Sequence, residues 1–136
     1  MIKEAYCSFE VAKLLKDKGF DEKCVAYYPQ HITPIKLTFG GRVNYNAPNK
    51  FKMLPPISAP THQMAMAWLR EKHHIHIDVI IQGNGSCIEY VYAIRDFSII
   101  FPTRNYDSID IKFKGRTDTY EEAVEASLKY SLENLI

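Results

Sequence analysis

Residues 58–94 read SAPTHQMAMAWLREKHHIHIDVIIQGNGSCIEYVYAI. The hydrophobic period changes inside this stretch. Ala65, Trp68, Leu69 and Lys72 recur at three and four, which predicts one stripe of a helix that starts near Pro60 or Thr61. From Ile75 the period falls to two. Ile75, Ile77, Val79 and Ile81 alternate with His74, His76, Asp78, Ile80 and Gln82, as in a half-buried strand. Asn84-Gly85 is the favoured pair for a two-residue turn, because both central positions need positive φ. Folding there is expected to pair Ile81 with Ile88, Val79 with Tyr90, Ile77 with Tyr92 and Ile75 with Ile94. Four consecutive apolar pairs then share one face.

The flanking segments extend the pattern. Ser8 is a suitable N-cap for a helix over 8–18, with Phe9, Val11, Ala12, Leu14 and Leu15 at helical spacing and Gly19 as the terminator. Residues 24–28 predict a strand that Pro29 stops. Around Gly40-Gly41 a three-residue loop over 40–42 is expected to pair Phe39 with Val43, Leu37 with Tyr45 and Ile35 with Ala47, keeping one face apolar. Four prolines between 46 and 60 predict a long surface loop. Two further strands are expected, over 97–101 and around Ile109, Ile111 and Phe113. Thr119 and Glu122 form a capping box for a last helix whose inner face is Tyr120, Ala123, Val124, Ser127, Leu128, Leu132 and Leu135. The expected fold is α+β: an antiparallel β-sheet built from hairpins, with three amphipathic helices packed mainly on one face, in a single domain over 1–136.

Composition narrows the function. The chain holds 17 Lys and Arg against 16 Asp and Glu, so bulk attraction to polyanions is not expected. Cys7, Cys24 and Cys87 are odd in number and lack Cys-x-x-Cys spacing, which reads as reduced cytosolic thiols. No secretory leader is expected at Met1, where Lys3 and Glu4 are followed by no apolar run, and no stretch approaches the ~20 apolar residues of a bilayer span. The expected setting is cytoplasmic, without a membrane partner.

Several motifs carry the resemblance of this chain to a group of uncharacterised small proteins encoded by phages and prophages of gut Bacteroidota. They are Ser58-Ala-Pro-Thr, Trp68-Leu-Arg-Glu-Lys-His, Ile75-His-Ile, the helix ending Lys18-Gly19-Phe20-Asp21-Glu22, and Tyr120-Glu-Glu-Ala-Val-Glu-Ala. The resemblance implies a phage-associated cytoplasmic protein. It supplies no activity, because that group has none assigned.

Three functional classes compete. His74, His76 and Asp78 at i, i+2 and i+4 fall on one strand face and supply ligand types for Zn²⁺. The competing reading is a solvated polar face, since no His-Glu-x-x-His or Cys-His spacing accompanies them. Between Lys23 and Arg70 there is no Asp or Glu, and Lys36, Arg42, Lys50 and Lys52 interleave with Tyr45 and other aromatics, a pattern suited to single-stranded nucleic acid. Six cations over that length are also an ordinary solvated surface. Gly83-Asn-Gly85 precedes a strand rather than a helix, so it is a turn and not a phosphate loop. No catalytic residues and no cofactor are assigned. The expectation is a non-enzymatic protein that binds a protein partner or itself, through Ile80, Val91 and Ala93 on the outer sheet face or the loop Met53-Leu-Pro-Pro-Ile57.

Overall fold

A computed structural model of the chain describes residues 2–49, 53–98 and 110–136, and the side chains of Asn84 and Asp110 are outside that description. The fold is α+β, with three helices and two three-stranded antiparallel sheets. Two compact units make up the chain, Met1–Ala65 and Met66–Ile136, and the boundary falls within the second helix.

In the first unit, α1 (Phe9–Asp17) begins at Ser8, whose hydroxyl accepts from Val11 N at 3.2 Å. It ends at Gly19 in a Schellman geometry: Gly19 has φ +91°, and Phe20 N–H donates to Leu15 O at 2.9 Å. The sheet runs in the order β2 (Thr38–Val43), β1 (Cys24–Tyr28), β3 (Ile57–Ser58). Ala12 of α1 meets Ala26, Tyr28, Ile57 and Ala59 in the core of this unit. The small alanines let the helix lie close to the sheet, and Tyr28 stays polar-satisfied by donating its hydroxyl to Cys7 O at 2.6 Å. Asn46 ties the loop down: its Nδ2 donates to Phe20 O and its Oδ1 accepts from Ser58 N, each at 2.9 Å.

The expected hairpin at 40–42 does not form. Residues 38–43 are one strand paired with β1, with Cys24 opposite Val43 and Ala26 opposite Phe39. Gly40, Gly41 and Arg42 therefore face Val25 alone, so the glycines serve a bulge and not a turn. A Cβ on Gly40 would lie 2.6 Å from the Tyr45 hydroxyl, which donates to Gly41 O at 2.5 Å. Leaving out that Cβ is what lets Tyr45 cross the strand.

Helix α2 (His62–His73) is capped by Thr61, whose hydroxyl accepts from Met64 N. His74 follows with φ +56°, a conformation histidine tolerates better than most side chains, and the chain enters β4 (Ile75–Asn84). β4 pairs with β5 (Cys87–Asp96), and β5 with β6 (Asp110–Thr117). The observed β4–β5 register places Asn84 opposite Cys87, with Gly85 at φ +63° in the turn. Ile81 thus faces Tyr90, Val79 faces Tyr92 and Ile77 faces Ile94. This is two residues away from the expected register. A slip of two preserves parity, so every side chain keeps its predicted face. Ile81 and Ile88, expected in the core, are nevertheless exposed at 61% and 62%.

Helix α3 (Tyr120–Asn134) starts at Thr119, which accepts from Glu122 N at 3.2 Å, and packs on one face of the β4–β5–β6 sheet. Ala123, Val124, Ser127, Leu128 and Leu132 are buried as expected. Ser127 and Ser131 satisfy their hydroxyls on the carbonyls of Ala123 and Ser127, at 2.6 and 2.8 Å. Phe113 of β6 stacks on Tyr130 with ring centres 4.1 Å apart. The expected strand over 97–101 extends into residues outside those described.

Tyr92 lies across Gly115 on the neighbouring strand, where any Cβ would overlap its ring. Gly115→Ala is expected to destabilise the protein by about 1–3 kcal/mol through overpacking, lowering the thermal midpoint by several degrees. Gly83→Ala, which meets nothing within 4 Å, is the control and should change stability by less than about 0.5 kcal/mol. Calorimetry of both variants checks this pair, and equal midpoints would contradict the packing.

Candidate functional site

Two surfaces hold the residues singled out by the sequence. In the second unit the sheet turns one face away from α3. His76 and Asp78 lie on that face of β4, with Nε2 and Oδ1 2.9 Å apart, so the imidazole N–H donates to the carboxylate. Arg95, opposite His76 on β5, places Nε 3.0 Å from Asp78 Oδ2. Both carboxylate oxygens are therefore engaged, one of them by a guanidinium. A metal ion bound to Asp78 would have to displace Arg95 or share the carboxylate with a fixed positive charge. His74 stands apart from the pair: its ring packs on Phe97 at 5.4 Å. Asp96 lies nearby, and hydrogen bonds from the Ser98 hydroxyl and backbone N–H hold its carboxyl below the usual carboxylate range.

The same sheet extends into a hairpin arm. Ile80 on the outer face and Ile81 and Ile88 on the inner one are exposed at 59%, 61% and 62%. Glu89, the one formal charge between Val79 and Tyr92, lies 3.8 Å from Arg116. Exposed apolar residues scattered singly are ordinary, but Ile81 and Ile88 share the inner face of one arm and form a patch there. Ile80 was legible as an outer-face residue; Ile81 and Ile88 were not.

In the first unit an apolar groove of about 590 Å³ is lined by Tyr27, Tyr45, Pro29, Pro56, Met53 and Leu54. His31 also lines it. The rings of Tyr27 and Tyr45 stack at 4.4 Å and 23°, forming one wall. Gln30 fixes the loop opposite by donating Nε2 to Pro55 O at 2.7 Å. Met53 and Leu54 stand 99% and 56% exposed. Prolines and stacked rings lose little conformational freedom on binding, which suits such a surface for contact.

The residues expected for nucleic-acid binding are placed as follows. Lys36 is exposed ahead of β2, Arg42 is exposed on β2, and Tyr45 is half-buried against Tyr27. Lys50 and Lys52 lie outside the described residues. Arg42 shares a small recess of about 170 Å³ with Lys23, Cys24 and Tyr6, but Glu4 lines it too. Tyr45 offers at most one ring face, because Tyr27 covers the other.

The thiols divide sharply. Cys7 and Cys24 are buried and Cys87 is exposed. Burial pushes the Cys24 thiol up to about 11.

Comparison with protein-family models, with curated proteins and with solved structures finds no match to this chain. No described helix is long and apolar enough to cross a membrane.

Thiolate is the reactive species, and burial keeps the Cys24 thiol protonated at pH 8. A maleimide or disulfide reagent at pH 8 is therefore expected to modify Cys87 alone in the folded protein, and all three cysteines in denaturant. Mass spectrometry of the native reaction checks this. Modification of Cys24 on the same timescale as Cys87 would contradict it.

Proposed function

We propose that the protein is a non-enzymatic binding module that works by protein–protein contact, in its simplest form with a second copy of itself. The setting that the sequence resemblance implies is phage- or prophage-associated and cytoplasmic. One observation carries the proposal: Ile80, Ile81 and Ile88 leave more than half of their surface in water on a hairpin arm that carries almost no charge.

The size of the effect sets the kind of association. Full burial of an isoleucine is worth roughly 1.5–3 kcal/mol, so three side chains at these exposures offer about 3–5 kcal/mol before any cost. Association itself costs roughly 4–15 kcal/mol. The arm alone cannot hold a tight complex. Contact through the arm must be weak and transient, or be joined by a second surface.

Support for nucleic acid and metal is thinner. Neither Lys36 nor Arg42 is drawn to the lining of the apolar groove, and Asp78 is held by Arg95.

Sedimentation velocity from a few micromolar to the millimolar range is expected to show mass rising with concentration. The rise should persist in 0.5 M NaCl, because apolar contact is not screened by salt. A strict monomer over the whole range would contradict self-association. Tight binding to a single-stranded oligonucleotide that collapses with added salt would favour the basic segment instead.

A further inference from the structure

The exposed hairpin arm and the apolar groove lie in different units, and they match in chemistry. We propose that the hairpin arm of one copy seats Ile81 and Ile88 in the Tyr27/Tyr45 groove of a second copy. This contact rests on the self-association proposed above and names its surfaces.

Among the described residues, neither surface carries a charge that contact would desolvate. The sequence from Val79 to Ile88 contains no Lys, Arg, Asp or Glu, and none occurs among the described residues that line the groove. At about 590 Å³ the groove lies in the range that accepts a drug-sized ligand, with room for two isoleucine side chains. By strand alternation Ile81 and Ile88 share one face of the arm, as the cross-strand pairs Ile81–Tyr90 and Gly83–Ile88 require. They can therefore enter one groove together.

Charge selects this pairing over its alternatives. Residues 1–65 hold nine Lys and Arg against five Asp and Glu, whereas residues 66–136 hold eight against eleven. The first unit is cationic and the second anionic. Arm against groove joins opposite signs; arm against arm, or groove against groove, joins like signs. Area points the same way. Ile81 and Ile88 together expose roughly 200 Å², well short of the roughly 800 Å² per partner of a standard interface. In an arm-in-groove contact every copy supplies both an arm and a groove. Met53 and Leu54, exposed at the groove rim, then add to the isoleucines. The contact is heterologous, so it closes into a dimer or ring, or it propagates into a chain.

Two double variants on exposed positions test the proposal: Ile81→Ser with Ile88→Ser for the arm, and Met53→Ser with Leu54→Ser for the groove. Circular dichroism verifies that each stays folded. Each variant alone is expected to self-associate at least tenfold more weakly than the natural protein by sedimentation velocity. Mixing them should restore association, because the arm variant keeps its groove and the groove variant keeps its arm. A fluorophore on Cys87 of the groove variant, on the opposite face of the arm from Ile88, reports this as a rise in anisotropy when unlabelled arm variant is added. If the natural protein self-associates and either variant does so equally well, the surfaces named here are wrong while self-association stands. Two monomeric variants that fail to complement each other would mean that like surfaces meet, and would overturn the proposal. A natural protein that stays monomeric throughout removes both the contact and the self-association beneath it.

Discussion

A strand advances about 3.3 Å per residue and a helix about 1.5 Å, and this difference governs the second unit. Strands β4 and β5 have ten residues each and span about 33 Å; α3 has fifteen and spans about 22 Å. Even laid along the strands, the helix leaves about a third of the hairpin uncovered. Burial follows that geometry. Ile75, Ile77, Tyr92 and Ile94 are buried, Val79 and Tyr90 are half-buried, and Ile81 and Ile88 are exposed. The apolar alternation continues along the whole hairpin while the helix that would cover it does not. An arm with a dry pattern and a wet surface results, and the functional proposal grows from that mismatch.

Close approach over glycine organises both sheets. Gly115 leaves room for the Tyr92 ring on the adjacent strand, and Gly40 leaves room for the Tyr45 hydroxyl. In the first case the ring fills a core position beneath α3. In the second it brings Tyr45 against Tyr27 and builds the groove wall. The same device thus serves stability in one unit and a surface in the other.

Most of the fold was legible because its signals are local. Ser8, Gly19, Thr61 and Thr119 act as the caps that their chemistry predicts, and the inner face of α3 follows from its spacing. The β4–β5 hairpin was identifiable, yet its register slipped by two: pattern alone fixes parity, and Ile, Val and Tyr fill the apolar positions of either register. What was hidden depended on contacts distant in sequence. Gly40-Gly41 carries a turn signal, but β1 offers residues 38–43 a partner, and the glycines are absorbed in a bulge. The groove joins Tyr27, Tyr45 and Met53 across loops that no periodicity connects. His76 and Asp78 were correctly placed on one face, whereas the salt link from Asp78 to Arg95 needs the strand pairing to be seen.

Backbone nuclear Overhauser effects across residues 75–96 test the central claim directly, because the length of the arm depends on where the hairpin turns. Cross-strand effects linking Ile81 with Tyr90, Val79 with Tyr92 and Ile77 with Ile94 are the result expected from the structure. Effects linking Ile81 with Ile88 and Val79 with Tyr90 as direct backbone partners would contradict it, since that register moves the turn and redraws the exposed patch.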